Sequence, residues 1–374
     1  MLPRVIFDFV DGGAEDERTL KRNESGFDAV SLLPRPLDGS PERDLSIDLF
    51  GQKLALPLMI APTGLAGLLW PDGEVATARA AAAAGTAYCL SHASVCTLEA
   101  LATAATEAGI GEAPRWMQTY IYKDREHTRQ IAGRAAAAGY DALVVTVDTQ
   151  LLGNRERDIR NGFAIPPRLS GGEIARMAFK LRWLMRMRSA LPRITFGNYV
   201  RPGSGETRAA LAERMLTLPD PGLTWRDIEW LRGIWSGPLV IKGILHPEDG
   251  AEAVAHGIDG VIVSNHGGRQ LDGAAAAIDA LPGVVNAVEG GCAVLIDGGF
   301  RRGTHVLKAL ALGADCCCIG RPQLWGLATA GEAGVAHALD IFRRELDLAM
   351  GLSGLSRIDD IGRDILAPPR RDAV

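Results

Sequence analysis

Short apolar runs recur along the chain, each followed by an Ala-rich or amphipathic stretch. Eight of them read as strands: "LPLMIAPTG" (56–64), "TAYCLSH" (86–92), "RWMQTYI" (115–121), "ALVVTVD" (142–148), "PLVIKGI" (238–244), "GVIVSNHGG" (260–268), "AVLIDGG" (293–299) and "CCCIGR" (316–321). They are continuous rather than alternating, the pattern of strands buried on both faces. Stretches such as "GEVATARAAAAAG", "DREHTRQIAGRAAAAG", "PEDGAEAVAHG" and "RGTHVLKALALG" read as the helices between them. Their closing glycines suit a left-handed position just past a helix end. Eight strand–helix units in series predict a (β/α)8 TIM barrel, one α/β domain over 1–374. A doubly wound sheet is the competing architecture, and polar residues at most strand ends favour closure.

One connection breaks the rhythm. Residues 149–223 separate the fourth strand from the helix "TWRDIEWLRGIW", and insertions of this length are usually functional. Within it, residues 173–193 carry Arg176, Lys180, Arg182, Arg186, Arg188 and Arg193 against a lone acid, Glu173, interleaved with Met177, Phe179, Trp183, Leu184, Met185 and Met187. A basic amphipathic helix of this kind can lie on an anionic membrane. A lid helix that packs on the barrel and turns its arginines to water is the alternative.

Composition narrows the classes. A formal net charge of −5 gives no reason to expect nucleic-acid binding. The six cysteines form no CxxC pair, and Cys316, Cys317 and Cys318 on one strand would point to alternating faces, so no metal site is expected. They read as small buried hydrophobes in a reducing, cytoplasmic setting. No stretch reaches the ~20 apolar residues of a membrane span, and "MLPRVIFDF" has no signal-peptide pattern.

Polar residues cluster at the C-terminal ends of the strands, where active sites of such barrels sit. They are Thr63; Ser91 and His92; Gln118 and Tyr120; Thr146 and Asp148; Lys242; His266 and Arg269; Asp297; Gly320 and Arg321. In "DGGFRRG" and "IGRP" the glycines allow close backbone approach to an anion, with Arg301 and Arg321 to neutralise it. Plain tight turns are the bland reading. Asp148 is a candidate orienting partner for His266. Arg155 and Arg269 at the barrel mouth would pair with a carboxylate, which suggests an acidic substrate. Lys242, ending an apolar strand, calls for a ligand that develops negative charge.

These residues carry a resemblance. "SNHGGRQLD" (264–272) is similar to the signature of the FMN-dependent α-hydroxy acid oxidases and dehydrogenases. So are "LPRVIFDFVDGGAEDE" (2–17), "IAPTGLAGLLWPDGE", "TVDTQLLGNRERD", "LVIKGIL", "LIDGGFRRGTHVLKALALGA" and "LSGLSRI" (352–358), in the same order. The resemblance implies FMN as cofactor, a small 2-hydroxy acid as substrate and His266 as active-site base, held by Asp148. It implies Arg155 and Arg269 on the substrate carboxylate, Tyr120 on a substrate oxygen, and Lys242 against the N1–C2=O edge of the flavin. Pro62, Thr63, Gly64, Ser91, Gln118, Thr146 and Ser264 would adjoin the flavin ring. Asp297 would bind the ribityl chain, and Gly298, Gly299, Arg301, Gly320 and Arg321 would hold the phosphate end. The base would remove either the hydroxyl proton, with hydride passing to N5, or the Cα proton, with electrons following.

Two departures bear on the substrate. Phe9 stands where this family commonly has a tyrosine on the substrate carboxylate, and Ala93 where glycolate oxidases have a tryptophan. The wider pocket that Ala93 implies, with "PTGLAGLLWPDG" and its Gly64, makes the chain most similar to the mandelate dehydrogenase branch. That branch implies a bulky or aromatic acid, a quinone-type acceptor and membrane contact through the insertion at the inner face of the cell membrane; the resemblance to the wider family implies a homotetramer. An oxygen-using oxidase that releases H2O2 is the alternative. A phosphate-binding isomerase or lyase, in which His266 only moves protons, is more remote. A flavin-binding scaffold without turnover would have no need of two carboxylate-binding arginines.

Overall fold

The first barrel strand, β1 (Leu58–Ile60), pairs with the last, β8 (Cys316–Ile319), and this contact closes the sheet. Between them run β2 (Tyr88–Leu90), β3 (Arg115–Thr119), β4 (Ala142–Thr146), β5 (Leu239–Ile244), β6 (Gly260–Val263) and β7 (Ala293–Asp297), all parallel and paired in chain order. All eight lie within the apolar runs, and closure excludes the doubly wound sheet. This computed structural model describes residues 2–37, 41–163, 171–200, 207, 210, 211, 215 and 218–368. The expected insertion 149–223 therefore falls partly outside the described residues, as does the Glu173 side chain.

Strand alternation decides what faces the barrel axis. Met59, Cys89, Trp116, Val144, Val240, Ile262, Leu295, Cys316 and Cys318 form one apolar cluster inside. The outward parity, with Leu58, Leu90, Met117, Val145, Ile241 and Cys317, joins the larger core under the helices. The three adjacent cysteines do point to alternating faces. Burial pushes their thiols well above the usual range, which makes them inert. Two residues beyond that apolar layer, on the same inward parity, come Gln118, Thr146, Lys242, Ser264 and Asp297. A hairpin of Ile47–Leu49 and Gln52–Leu54 covers the opposite end: Leu49 and Leu54 join the inner cluster, and Trp116 Nε1 donates to Gln52 Oε1 at 3.2 Å.

The helices end as their sequences suggest, with Gly85, Gly139, Gly257 and Gly313 all at positive φ. The basic stretch differs from expectation. It is two helices, Gly171–Ala178 and Leu181–Met187, followed by a single turn at Leu191–Arg193. The break sits at Phe179–Lys180, and tertiary contacts account for it. Trp183 and Met187, one helical turn apart, are buried against the barrel, and Trp183 Nε1 donates to Leu68 O at 3.1 Å. Arg186 lies 4.2 Å from the Trp70 ring centre. Phe179, Leu181 and Met185 stay exposed, as do Arg176, Arg182 and Arg188.

Candidate active site

Strand β6 ends at Val263, and the chain turns at once through three left-handed residues, His266, Gly267 and Gly268, with φ of 57°, 63° and 73°. The turn delivers the His266 ring to Asp148, two residues past β4, with Nδ1 to Oδ1 at 2.8 Å. The approach depends on Gly243 in β5. There the register with β6 shifts, φ is 111°, and a Cβ would lie 2.6 Å from Asp148 Cβ. Asp148 fixes the proton on Nδ1 and leaves Nε2 for a ligand. Burial pushes the His266 pKa down and Asp148 pushes it up. Lys242 and Arg155 add to the downward side, and the net direction is down. Burial alone would raise Asp148, but His266 and Lys242 overcome this and leave its pKa low. The imidazole is thus held neutral beside a carboxylate, ready to accept a proton.

Lys242, on β5, is the cation at the centre. Its Nζ lies 3.1 Å from Asp297 Oδ2 and donates to Ser264 Oγ at 2.9 Å. Ser264 Oγ in turn accepts the His266 backbone N–H at 3.0 Å. Burial opposes the charge on Lys242, but Asp297 and Asp148 outweigh it and hold its pKa above the usual value. Gln118 joins two neighbouring strands: its Nε2 donates to Thr146 Oγ1 at 3.0 Å, and its Oε1 accepts from Ser91 Oγ at 3.3 Å. Tyr120 packs near His92 and Tyr122, and burial pushes its phenol pKa up.

The guanidinium groups crowd one side of the mouth. Arg269 NH1 donates to the carbonyls of Phe9 (2.8 Å) and Gly12 (2.7 Å), and NH2 lies 3.9 Å from Asp158 Oδ2. Arg321 donates to Val10 O (3.1 Å) and Gly12 O (2.8 Å). Arg155 donates to Arg269 O and Gln270 Oε1, both at 3.3 Å. Burial pushes all three pKa values down; neighbouring guanidinium groups add to this for Arg269 and Arg321, and Arg321 is lowered to about 10. A bound anion would relieve that electrostatic cost.

An open cleft runs past Lys242, His266, Arg269 and Arg321. Pro62, Thr63, Gly64, Phe9, Lys242, His266, Arg269, Asp297, Gly298, Gly299, Arg301, Gly320 and Arg321 line it. Ser91, Gln118, Tyr120, Thr146, Asp148, Arg155 and Ser264 are not among its lining residues; Asp148, Ser264 and Arg155 reach it through their bonds to His266, Lys242 and Arg269. Arg301 stacks 4.7 Å from the Trp325 ring centre and pairs with Glu24 at 2.6 Å. Sequence reasoning passed over Gln270, whose Nε2 ties the loop after β4 through Asp148 O (2.7 Å) and Leu151 O (2.8 Å). It also missed Asn198, which clamps the insertion to the loop after β2: Asn198 Oδ1 accepts from Leu98 N at 2.8 Å, and Nδ2 donates to Ser94 Oγ at 2.9 Å. Nothing in spacing marks either residue; both are recognisable only through their partners in space.

This barrel and cleft belong to a known class. Residues 1–368 match the family model described as FMN-dependent dehydrogenase. The chain is 44% identical to 2-hydroxyacid oxidase 1 of Mus musculus over 98% of its length and 93% of the relative's. It is 44% identical to L-lactate oxidase of Nostoc sp. (98% and 94%) and 41% identical to L-lactate dehydrogenase of Ectopseudomonas mendocina (99% and 96%). Among solved structures it is similar to the monotopic membrane protein (S)-mandelate dehydrogenase, with TM-score 0.92, 37% identity and coverage of 98% and 95%. A mandelate oxidase structure matches with TM-score 0.82, 38% identity and coverage of 98% and 94%. The chain belongs to the FMN-dependent dehydrogenase family. It is an FMN-dependent oxidoreductase, and FMN is its cofactor.

The residues present fit that cofactor. Asp297 Oδ1 is buried in the cleft wall without a hydrogen-bond partner among the described residues, as an acceptor awaiting a hydroxyl would be. Gly320 faces the cleft with only Thr63 Cγ2 near, 3.6 Å from where a Cβ would stand, so its place in the wall is open to a ligand.

Proposed function

We propose that the enzyme oxidises an L-2-hydroxy acid with a bulky or aromatic side chain to the 2-oxo acid. The observation that carries this reading is the His266–Asp148 pair, set beside the buried guanidinium group of Arg269 in the cleft wall, with the buried Arg155 bonded to the Arg269 carbonyl behind it. Arg155 and Arg269 bind the substrate carboxylate, which turns the hydroxyl-bearing carbon toward His266. His266 Nε2 takes the proton lost on oxidation, from the hydroxyl or from Cα, and Asp148 stabilises the imidazolium that results. When bound, FMN supplies the two-electron acceptor. Asp297, Gly299, Arg301, Gly320 and Arg321 would hold its polar tail, and Thr63, Ser91, Gln118, Thr146, Lys242 and Ser264 its ring. Tyr120 serves a substrate oxygen.

The side-chain specificity rests on small residues. A Cβ at Gly64 would lie 3.2 Å from Ala93 Cβ, so two positions without bulk adjoin each other. Phe9 brings no hydroxyl to the mouth and packs 4.6 Å from Phe163. Both features suit a large apolar group better than a small polar one.

Electrons pass to a quinone-type acceptor at a membrane surface. In support, Phe179, Leu181 and Met185 are exposed beside Arg176, Arg182 and Arg188, the composition of an interfacial segment. No helix among the described residues is long and apolar enough to cross a membrane. Transfer to oxygen is the second reading, favoured by the identity to oxidases. A panel of hydroxy acids is mixed anaerobically with the enzyme, and flavin absorbance is followed before oxygen or a quinone is admitted. Bleaching by aromatic acids and fast reoxidation by quinone are expected. No bleaching by any 2-hydroxy acid would overturn the activity, and reoxidation fastest with oxygen would overturn the acceptor.

A further inference from the structure

One buried pair of amides near the cleft has no part in the mechanism above. Asn23 lies on the helix Arg18–Ser25, and Asn265 immediately precedes His266. They exchange hydrogen bonds: Asn23 Nδ2 donates to Asn265 Oδ1 at 2.8 Å, and Asn265 Nδ2 donates to Asn23 Oδ1 at 2.7 Å. Asn265 Nδ2 also donates to Ala275 O at 2.9 Å, and its Oδ1 accepts the Gly268 N–H at 3.0 Å. Both hydrogens and both lone pairs of the Asn265 amide are thus used. Both side chains are buried, so neither bond competes with water.

The bond to Gly268 N spans the turn that carries His266. Three consecutive left-handed residues, the first of them not glycine, are not a conformation that a chain adopts without help. Gly268 N donates both to Asn265 O, at 3.1 Å, and to the Asn265 side chain, which draws the turn closed. The orientation of the Asn265 amide is in turn fixed by Asn23. Asn23 also accepts the Ala277 N–H at 3.3 Å, which anchors it to the helix that follows the same loop. On its other side the Asn23 side chain meets the turn after β7: a Cβ at Gly298 would stand 3.4 Å from Asn23 Cγ and Nδ2, while the Asn23 backbone carbonyl closes on Gly299.

We infer that Asn23 is a positioning residue for His266. It acts through Asn265 to hold the left-handed turn that aims the imidazole, and it braces the Gly298–Gly299 turn on the cofactor side of the cleft. The inference rests on the reading of His266 as the base. Its test compares Asn23→Ala, His266→Gln and the double variant, each loaded with FMN, with FMN affinity and Tm measured alongside. Per bound flavin, Asn23→Ala is expected to slow anaerobic bleaching at saturating substrate by at least about tenfold, as a misplaced catalytic group does, with KM moved by less than about threefold. In the His266→Gln background the same substitution should have almost no further effect on that rate, because the two act as one unit. If Asn23→Ala does not fold, Asn23→Ser, which keeps an acceptor for the Ala277 amide, is read the same way.

An unchanged rate per flavin, with only Tm or FMN affinity lowered, would overturn the inference, and so would additive losses in the double variant. Normal bleaching by His266→Gln would overturn the base assignment and the inference together. Slow bleaching by His266→Gln beside a normal Asn23→Ala removes the inference alone.

Discussion

On the proposed reading, three side chains decide what the cleft can do to a bound acid, and each has its own signature. Replacing His266 by glutamine keeps a polar group of similar reach but removes the proton acceptor. FMN should stay bound while anaerobic bleaching slows by about 10²–10⁴-fold, read by stopped-flow absorbance. Asp148→Asn should act on the pH profile as well as on the rate. The base works when neutral, so kcat/KM falls as pH drops through the His266 pKa, which burial already places below 6.5. Asp148 raises that pKa, so its loss moves the acidic limb to still lower pH while the maximal rate drops. A limb that moved upward would contradict the assigned pairing. Arg269→Met removes charge-assisted bonds of roughly 1.5–3 kcal/mol to the carboxylate. KM should rise by one to two orders of magnitude, and an unchanged KM would remove Arg269 from the clamp.

At the scale of elements, the barrel strands were legible because each is a continuous apolar run ending in polar residues. The inward row Gln118, Thr146, Lys242, Ser264 and Asp297 follows from strand parity once the strands are placed. His266 and Asp148 were legible as a pair only because both follow strands that must converge at one rim. Asn23, Asn198 and Gln270 were not, since an isolated amide in a polar stretch looks like any solvated one until its partners are known. The basic segment shows the limit most clearly. Its charge and apolar content were visible, but Trp183 and Met187 are drawn onto the barrel, and the single expected helix breaks in two. Deleting the segment would therefore expose part of the core. Leu181→Glu with Met185→Glu instead changes only exposed side chains. This double variant should shift the protein from the pellet to the supernatant when spun with anionic vesicles, at unchanged Tm. Equal sedimentation of wild type and variant would contradict membrane contact.

For the molecule as a whole, the arginines at the mouth have a second consequence. Arg269 and Arg321 grip the carbonyls of Phe9, Val10 and Gly12 at the beginning of the chain. Arg321 follows the last barrel strand, so this fastening spans more than three hundred residues of sequence. Contacts so distant along the chain are the slowest to form. The cleft is therefore expected to be completed late, after β8 has closed the barrel and the helix Arg4–Asp11 has docked across its rim. In refolding from denaturant with FMN present, far-UV circular dichroism should recover first, with quenching of flavin fluorescence lagging behind it. On that order the cofactor would serve as a keystone, bound by the finished barrel and by no half-built one.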